Sequence, residues 1–248
     1  MTDILYEHPL NERIRNYLKL EQLFVQARSC LAQEFSSSHT LFFNALFAIL
    51  DTLDRADIRG DVIKDLEKLE QNLIVWSKSP QVNTKALDLN LEQSKSLTSS
   101  LRSKKPLWST LKEDKFLDSM RKRFTLQGAY CGFDLPALAF WLNQPPIFIQ
   151  QDIDRWLSSL ATVEQSLVLI LKFIRQRAAF EDIEAGNSFY QDSGEGLMLL
   201  RMELDAAADY FPSVSGNKYR YSIRFMRLCP EKGQQYISDT VNFKLAKC

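Results

Sequence analysis

The sequence predicts an α+β protein: a mainly α-helical bundle domain over residues 10–177 and a smaller antiparallel β domain over residues 178–248. Two observations predict it. Apolar residues recur at helical spacing up to about residue 178 and alternate in twos after it. The composition, 45% hydrophobic and 25% charged over 248 residues, is that of a globular chain able to bury a sizeable core.

Taken in order, Ile4-Leu5-Tyr6 is short and extended, so 3–7 is expected to add a strand. Asn11 is a good N-cap, and a helix is expected from there to about residue 34. It has two apolar stripes, through Ile14, Tyr17 and Phe24 and through Leu20, Leu23 and Ala27, so it should be contacted on more than one side. Ser36-Ser37-Ser38 suggests a break, with a new helix from His39 to Asp54. From Asp57 to Trp76 the period is clear: Val62, Leu66, Leu69, Leu73 and Trp76 fall on one face, and Ser79-Pro80 ends the helix. Thr84 to Ser103, rich in Leu, Ser and Gln, reads as a peripheral helix. Lys112 to Phe124 reads as one short helix with a basic end, and Gln127 to Phe133 as a loop or short strand. Asp134 should cap the next helix, with Pro136 in its first turn. After Pro145-Pro146 comes a helix through Ile149, Ile153, Trp156 and Leu160. Thr162 with Gln165 then fits the capping box of another, apolar nearly all round, which belongs in the centre of a bundle.

Beyond residue 178 the expected strands are Ala179–Ile183, Ser188–Gln191, Leu197–Leu204, Tyr219–Leu228 and Thr240–Ala246. Gly194-Glu195-Gly196 suggests a hairpin loop, and Ser215-Gly216-Asn217 a turn before the strongest strand. In that strand Tyr219, Tyr221, Ile223 and Phe225 should face the core, leaving Lys218, Arg220, Ser222, Arg224 and Met226 on the other side.

Several functions are disfavoured. Thirty-one basic residues balance thirty-one acidic ones. Zero net charge, with no aromatics interleaved among basic residues on one face, argues against nucleic-acid binding. The cysteines at 30, 131, 229 and 248 form no CxxC pair, and the first residues carry no apolar signal region, so reduced cytosolic thiols are expected. The longest apolar runs, Leu135–Leu142 and Leu167–Leu171, are short of the roughly 20 residues a membrane span needs. His8 and His39 have no ligand-spaced partner, so no metal is expected. Nucleotide-binding glycine motifs and the G-x-S-x-G elbow are missing, and no catalytic residue or cofactor is assigned. Asp51, Asp54, Asp57 and Asp61 could be paired carboxylates, but a helix end followed by a capping turn accounts for them better.

What remains is basic. Arg220 and Arg224, with Lys218 at the end, make a row broken only by serine. Such a row could cradle carboxylates of a peptide, since Arg grips them bidentately, or pair with acidic neighbours such as Glu203. Arg121-Lys122-Arg123 fits a helix C-terminus favoured by the macrodipole, and Arg15 and Lys19 share a helix face with Glu12 in reach.

Five stretches together resemble the ZapD family of bacterial cell-division proteins: Tyr6–Arg13 (YEHPLNER), Leu50–Arg59 (LDTLDRADIR), Phe133–Pro136 with Trp141-Leu142, Phe189–Asp192, and Ser215–Met226 (SGNKYRYSIRFM). The likeness spans the chain in order and thins over 84–105. It implies a cytoplasmic homodimer at the division site, not an enzyme, that binds the C-terminal tail of FtsZ and bundles FtsZ protofilaments, promoting Z-ring assembly. No nucleotide, metal, nucleic acid or membrane is implied. The family's basic pocket maps onto Arg55, Arg220 and Arg224, with Lys19 and Lys115 as further positive positions; Arg15, Arg121, Arg123 and Lys218 complete the expected partner-binding set. The alternative is a non-catalytic protein that uses the same row for nucleic acid or another acidic peptide.

Overall fold

The computed structural model describes residues 3–32, 35–55, 57–77, 84–102, 107–125 and 133–248. The Ser79-Pro80 stop and the expected loop or strand over 127–132 lie outside them. The described residues form two compact units, Lys19–Ile170 and Met1–Leu18 with Leu171–Cys248. The fold class is α+β, with two antiparallel sheets.

Asn11 caps α1 (Glu12–Leu31) as its side chain suggests: Oδ1 accepts the Ile14 N–H at 2.9 Å. The serine run does not break the chain, because α2 (Phe35–Arg55) already begins at Phe35. Ser38 is buried in its first turn, where Oγ donates to the Cys30 carbonyl at 2.9 Å. Asp57 caps α3 (Ile58–Trp76) by accepting from the Gly60 N–H, and Val62, Leu66, Leu69 and Leu73 are buried as their period requires, whereas Trp76, expected on the same face, ends the helix 44% exposed. α4 (Thr84–Arg102) packs along α3 with Leu87, Leu97 and Leu101 buried.

Lys112–Phe124 is not one helix. It divides into α5 (Thr110–Glu113) and α6 (Lys115–Phe124) because Asp114 is extended and caps the second piece. Its Oδ1 accepts from the Phe116 and Leu117 N–H groups, and its Oδ2 accepts from Arg155 and the Trp156 indole, each at 3.1 Å. In front of α7 (Pro136–Leu142) the N-cap position belongs to Leu135 rather than Asp134, without a side-chain bond; Pro136 starts the helix unaided. α8 (Pro146–Arg175) is a single helix of 30 residues. Thr162 lies in its interior and accepts from Ser166 Oγ through its carbonyl at 2.7 Å. Continuous burial of Leu160, Val163 and Leu167 outweighs the local capping signal. By length and apolar content α8 could span a membrane, yet half of that stretch is buried inside the protein, as in a core helix.

Phe43 of α2 is the hub of the helical unit's core. Its ring lies 5.3–5.9 Å from those of Phe42, Phe47, Phe124, Trp141 and Trp156.

The second unit contains the sheets. β1 (Ile4–Pro9), β4 (Leu199–Leu204), β8 (Val241–Lys247) and β2 (Glu181–Ala185) form one, in that order. β3 (Phe189–Ser193), β6 (Arg220–Cys229) and β5 (Phe211–Gly216) form the other, and β7 (Gly233–Tyr236) pairs with the far end of β6. Leu200, Met202, Leu204, Val241, Phe243 and Leu245 of the first sheet share one core with Tyr221, Ile223 and Phe225 of the second. Gly194–Gly196 is therefore not a hairpin loop: it carries the chain from β3 in one sheet to β4 in the other. Gly194 donates to the Tyr219 carbonyl at 2.9 Å, and a Cβ there would lie 2.6 Å from the Asn217 carbonyl oxygen. β5 and β7, neither anticipated, complete the second sheet.

Candidate functional site

β6 is built by strict alternation over most of its length. Tyr221, Ile223 and Phe225 are at most 1% exposed, so Arg220, Ser222 and Arg224 must point outward. The alternation is not followed at either end. Tyr219 was expected inside, but it precedes the strand and is 67% exposed. Met226 was expected on the open row, but it is buried, with Phe211 and Tyr236 as its direct cross-strand neighbours. The turn that launches β6 is held by Asn217, whose Oδ1 accepts the Tyr219 N–H at 2.8 Å and whose N–H donates to the Arg220 carbonyl at 3.0 Å.

The neighbours of the two arginines are polar or aromatic. Arg220 donates to Gln191 Oε1 at 2.6 Å. Arg224 lies directly opposite Phe189 on β3, with its guanidinium 4.6 Å from that ring's centroid and 5.3 Å from that of Tyr236. Among the described residues, no carboxylate forms an ion pair with either side chain. The internal pairing considered from the sequence is not made: Glu203 lies on β4 in the other sheet, 3.8 Å from Lys244. Arg220 and Arg224 are four positions apart, about 13 Å along an extended strand. Ser213, Ser215 and Gln191 line the surface between them through their register with Arg224 and Ser222. The face therefore offers two outward guanidiniums over a floor of hydroxyl and amide groups, suited to accepting carboxylates.

Phe189 and Tyr236 correct one sequence expectation. Aromatics do accompany the basic residues on this face, but they arrive from β3 and β7 rather than from β6. Phe189 could have been found by registering β3 against β6; Tyr236 belongs to a strand that the sequence pattern did not reveal.

The other candidates are placed as follows. Lys218 is exposed, its ammonium 4.9 Å from the Tyr219 ring centroid. Arg15, also exposed, pairs with Glu12 at 3.3 Å. In the helical unit Lys19, Arg55, Lys115 and Arg123 are exposed, on α1, at the end of α2, and at the start and end of α6. Arg121 is engaged within the fold. It donates to Asp51 and Asp54, while Lys112 reaches Asp54 at 2.6 Å. Burial works against its charge, but the two carboxylates outweigh that and raise its pKa. Asp51 and Asp54 therefore serve as partners for Arg121 and Lys112, and Asp57 as a cap.

Among the described residues no group of three His, Cys, Asp or Glu side chains is placed to hold a metal ion. Cys30 and Cys248 are buried free thiols, and loss of solvation pushes both away from the thiolate form. On the first sheet, Asp3, Asp182, Glu184, Glu203 and Asp205 surround Lys244 in a shallow, largely acidic depression.

A family model described as "ZapD: Cell division protein" matches residues 18–224. Proteins named "Cell division protein ZapD" are similar along nearly the whole length. The one from Yersinia enterocolitica is 38% identical over 245 residues, covering 99% of this chain and 97% of the relative. Those from Pectobacterium carotovorum and Serratia proteamaculans are 37% and 34% identical over the same shares.

Proposed function

The chain belongs to the ZapD family of cell division proteins, and from that premise we propose that it binds the C-terminal tail of FtsZ and crosslinks FtsZ protofilaments. It acts as a non-catalytic cytoplasmic homodimer at the division site, promoting assembly of the Z-ring. The observation that carries the reading is the outward pair Arg220 and Arg224, neither with a carboxylate partner among the described residues. A charged side chain held in place by its neighbours, but not neutralised by them, is available to an acidic partner. Lys218 extends the row, and Arg55, Lys19, Lys115 and Arg123 supply further positive charge that can steer or contact the tail. Arg15 and Arg121 contribute less, because Glu12 and the Asp51–Asp54 pair already engage them.

A flexible tail that orders on binding gains modest affinity per copy, so two equivalent sites in a dimer are needed to hold neighbouring filaments firmly. The test is binding of a labelled FtsZ C-terminal peptide to wild type and to Arg220→Ala/Arg224→Ala, with circular dichroism to verify folding. Binding by the wild type and at least about tenfold weaker binding by the folded double variant is expected, as for loss of two charge-assisted contacts. Equal binding by both would move the site to the helical unit's basic residues, and no binding by the wild type would overturn the FtsZ reading.

The aromatic flanks of Arg224 favour one competitor, single-stranded nucleic acid, because rings and guanidiniums stack on bases. A nucleic acid needs a long cationic track. The same unit instead presents five carboxylates around one lysine on its other sheet. Oligothymidylate binding with a steep salt dependence would decide for that competitor.

A further inference from the structure

We propose that Phe189 and Tyr236 form, with Arg224, a subsite that takes a carboxylate together with an apolar side chain beside it, and so select among acidic peptides. This rests on the reading that the outer face of the β3–β6–β5 sheet captures a peptide tail.

The geometry differs at the two ends of the row. Among the described residues the Gln191 amide is the side chain hydrogen-bonded to the exposed Arg220, so that end offers a solvated charge. At Arg224, β3 and β7 pair with the same edge of β6, one ending where the other begins. Phe189 is the first residue of β3, opposite Arg224, and Tyr236 is the last of β7, opposite Met226. The guanidinium therefore lies close to both rings, 4.6 and 5.3 Å from their centroids. Two neighbouring rings limit its rotamers and its hydration while the side chain as a whole stays exposed. A carboxylate that reaches it meets a partly desolvated, pre-positioned cation, and its attraction is screened less by salt than at Arg220.

The rings also have surface to spare. Tyr236 is 67% exposed and Leu228, two pleats beyond Arg224 on the same strand, is 70% exposed. A purely charge-seeking site would leave this apolar area in water. An acidic peptide with an aliphatic or aromatic neighbour to its carboxylate covers it and engages Arg224 at the same time. Phe189 and Tyr236 are thus positioning residues for Arg224 and contact residues for the apolar neighbour.

The experiment measures anisotropy of two labelled peptides, the FtsZ C-terminal tail and the same tail with its apolar residues changed to serine, against wild type, Tyr236→Ala and Tyr236→Phe. Tyr236 is exposed, so both variants should fold, and Phe restores the ring without the hydroxyl. For the natural tail, Tyr236→Ala should weaken binding about fivefold or more, and Tyr236→Phe should stay within about twofold of wild type. The serine peptide should bind weakly and about equally to all three. A Tyr236→Ala variant that binds the natural tail like wild type overturns the subsite and leaves tail capture standing. So does an equal loss for both peptides, since the ring would then act on charge alone. Failure of the wild type to bind the natural tail removes both readings. Displacement of the tail by oligothymidylate at lower concentrations than by unlabelled tail would assign the stacked guanidinium to nucleic-acid bases.

Discussion

Glu7 shows how one side chain can be placed by strand register and then set the acid stability of a unit. It lies opposite Arg201 in the β1–β4 pairing and accepts from Arg201 Nε at 3.0 Å, while Arg175 at the end of α8 donates to both its oxygens at 2.9 and 2.7 Å. The side chain is only 17% exposed. Burial alone would raise its pKa, but the two guanidiniums outweigh it and hold the carboxyl below its usual range. A depressed folded pKa means that the stabilisation is complete above the unfolded value of about 4.3 and is lost as pH falls through the lower folded value. Glu7→Gln keeps the shape but leaves two guanidiniums without their counter-charge, and should cost about 2 kcal/mol at neutral pH. Urea unfolding of both proteins between pH 7 and pH 3 checks this: the gap should narrow as the wild type protonates. Curves that stay parallel to pH 3 would mean that Glu7 contributes shape and not charge. Asp114 and Asp192 are depressed too, so only the difference between the two proteins isolates Glu7. The residue pattern announced Asn11 and Asp57 as caps, because a cap acts over three residues. Glu7 gave no such sign, since its partners lie 168 and 194 positions away.

At the scale of elements, period proved more informative than punctuation. Val62 to Leu73 and Tyr221 to Phe225 are buried where their spacing puts them. Punctuation failed at Thr162, where apolar residues on either side are buried in one continuous helix and outweigh the local capping preference of a hydroxyl, and at Ser36–Ser38, which lie inside the first turn of α2. β5 and β7 were illegible for a different reason: Phe211–Gly216 (FPSVSG) and Gly233–Tyr236 (GQQY) contain too few apolar residues to alternate, and pairing with β6 makes them strands. The serines of α4 are a related case. They lower helix propensity, yet Ser94 is fully buried against α3, donating to the Leu66 carbonyl at 3.3 Å, and Thr98 donates to Glu70 at 2.9 Å. These small polar side chains allow α4 to approach α3 closely. Ser94→Leu raises intrinsic helix propensity but overfills that contact, and is expected to lower stability by about 1–3 kcal/mol. Thermal or urea unfolding decides the matter; a more stable variant would mean that position 94 has room and that propensity governs the helix.

The whole molecule is electrically neutral, with 31 charges of each sign, so its attraction for an acidic partner depends on local separation of charge. In the sheet-bearing unit this separation is evident. The β3–β6–β5 sheet presents Arg220 and Arg224 outward, and the β1–β4–β8–β2 sheet presents Asp182, Glu184 and Glu203 around Lys244. If the outward arginines hold FtsZ tails as proposed, a crosslink requires two tails held by one dimer. Any weakening of a single contact is then compounded: a salt change that lowers each contact by about threefold lowers the bridge by about ninefold. At 0.5 M salt the screening length is only about 4 Å, short beside the roughly 13 Å of strand between Arg220 and Arg224. Bundling of FtsZ polymers, followed by light scattering and pelleting from 50 to 500 mM salt, should therefore collapse over a narrower range than binding of a single labelled tail to the same protein. Bundling that follows the single-tail curve would argue for one functional contact per assembly and against paired sites. Bundling indifferent to salt would place the dominant contact in an apolar surface and not in the arginine row.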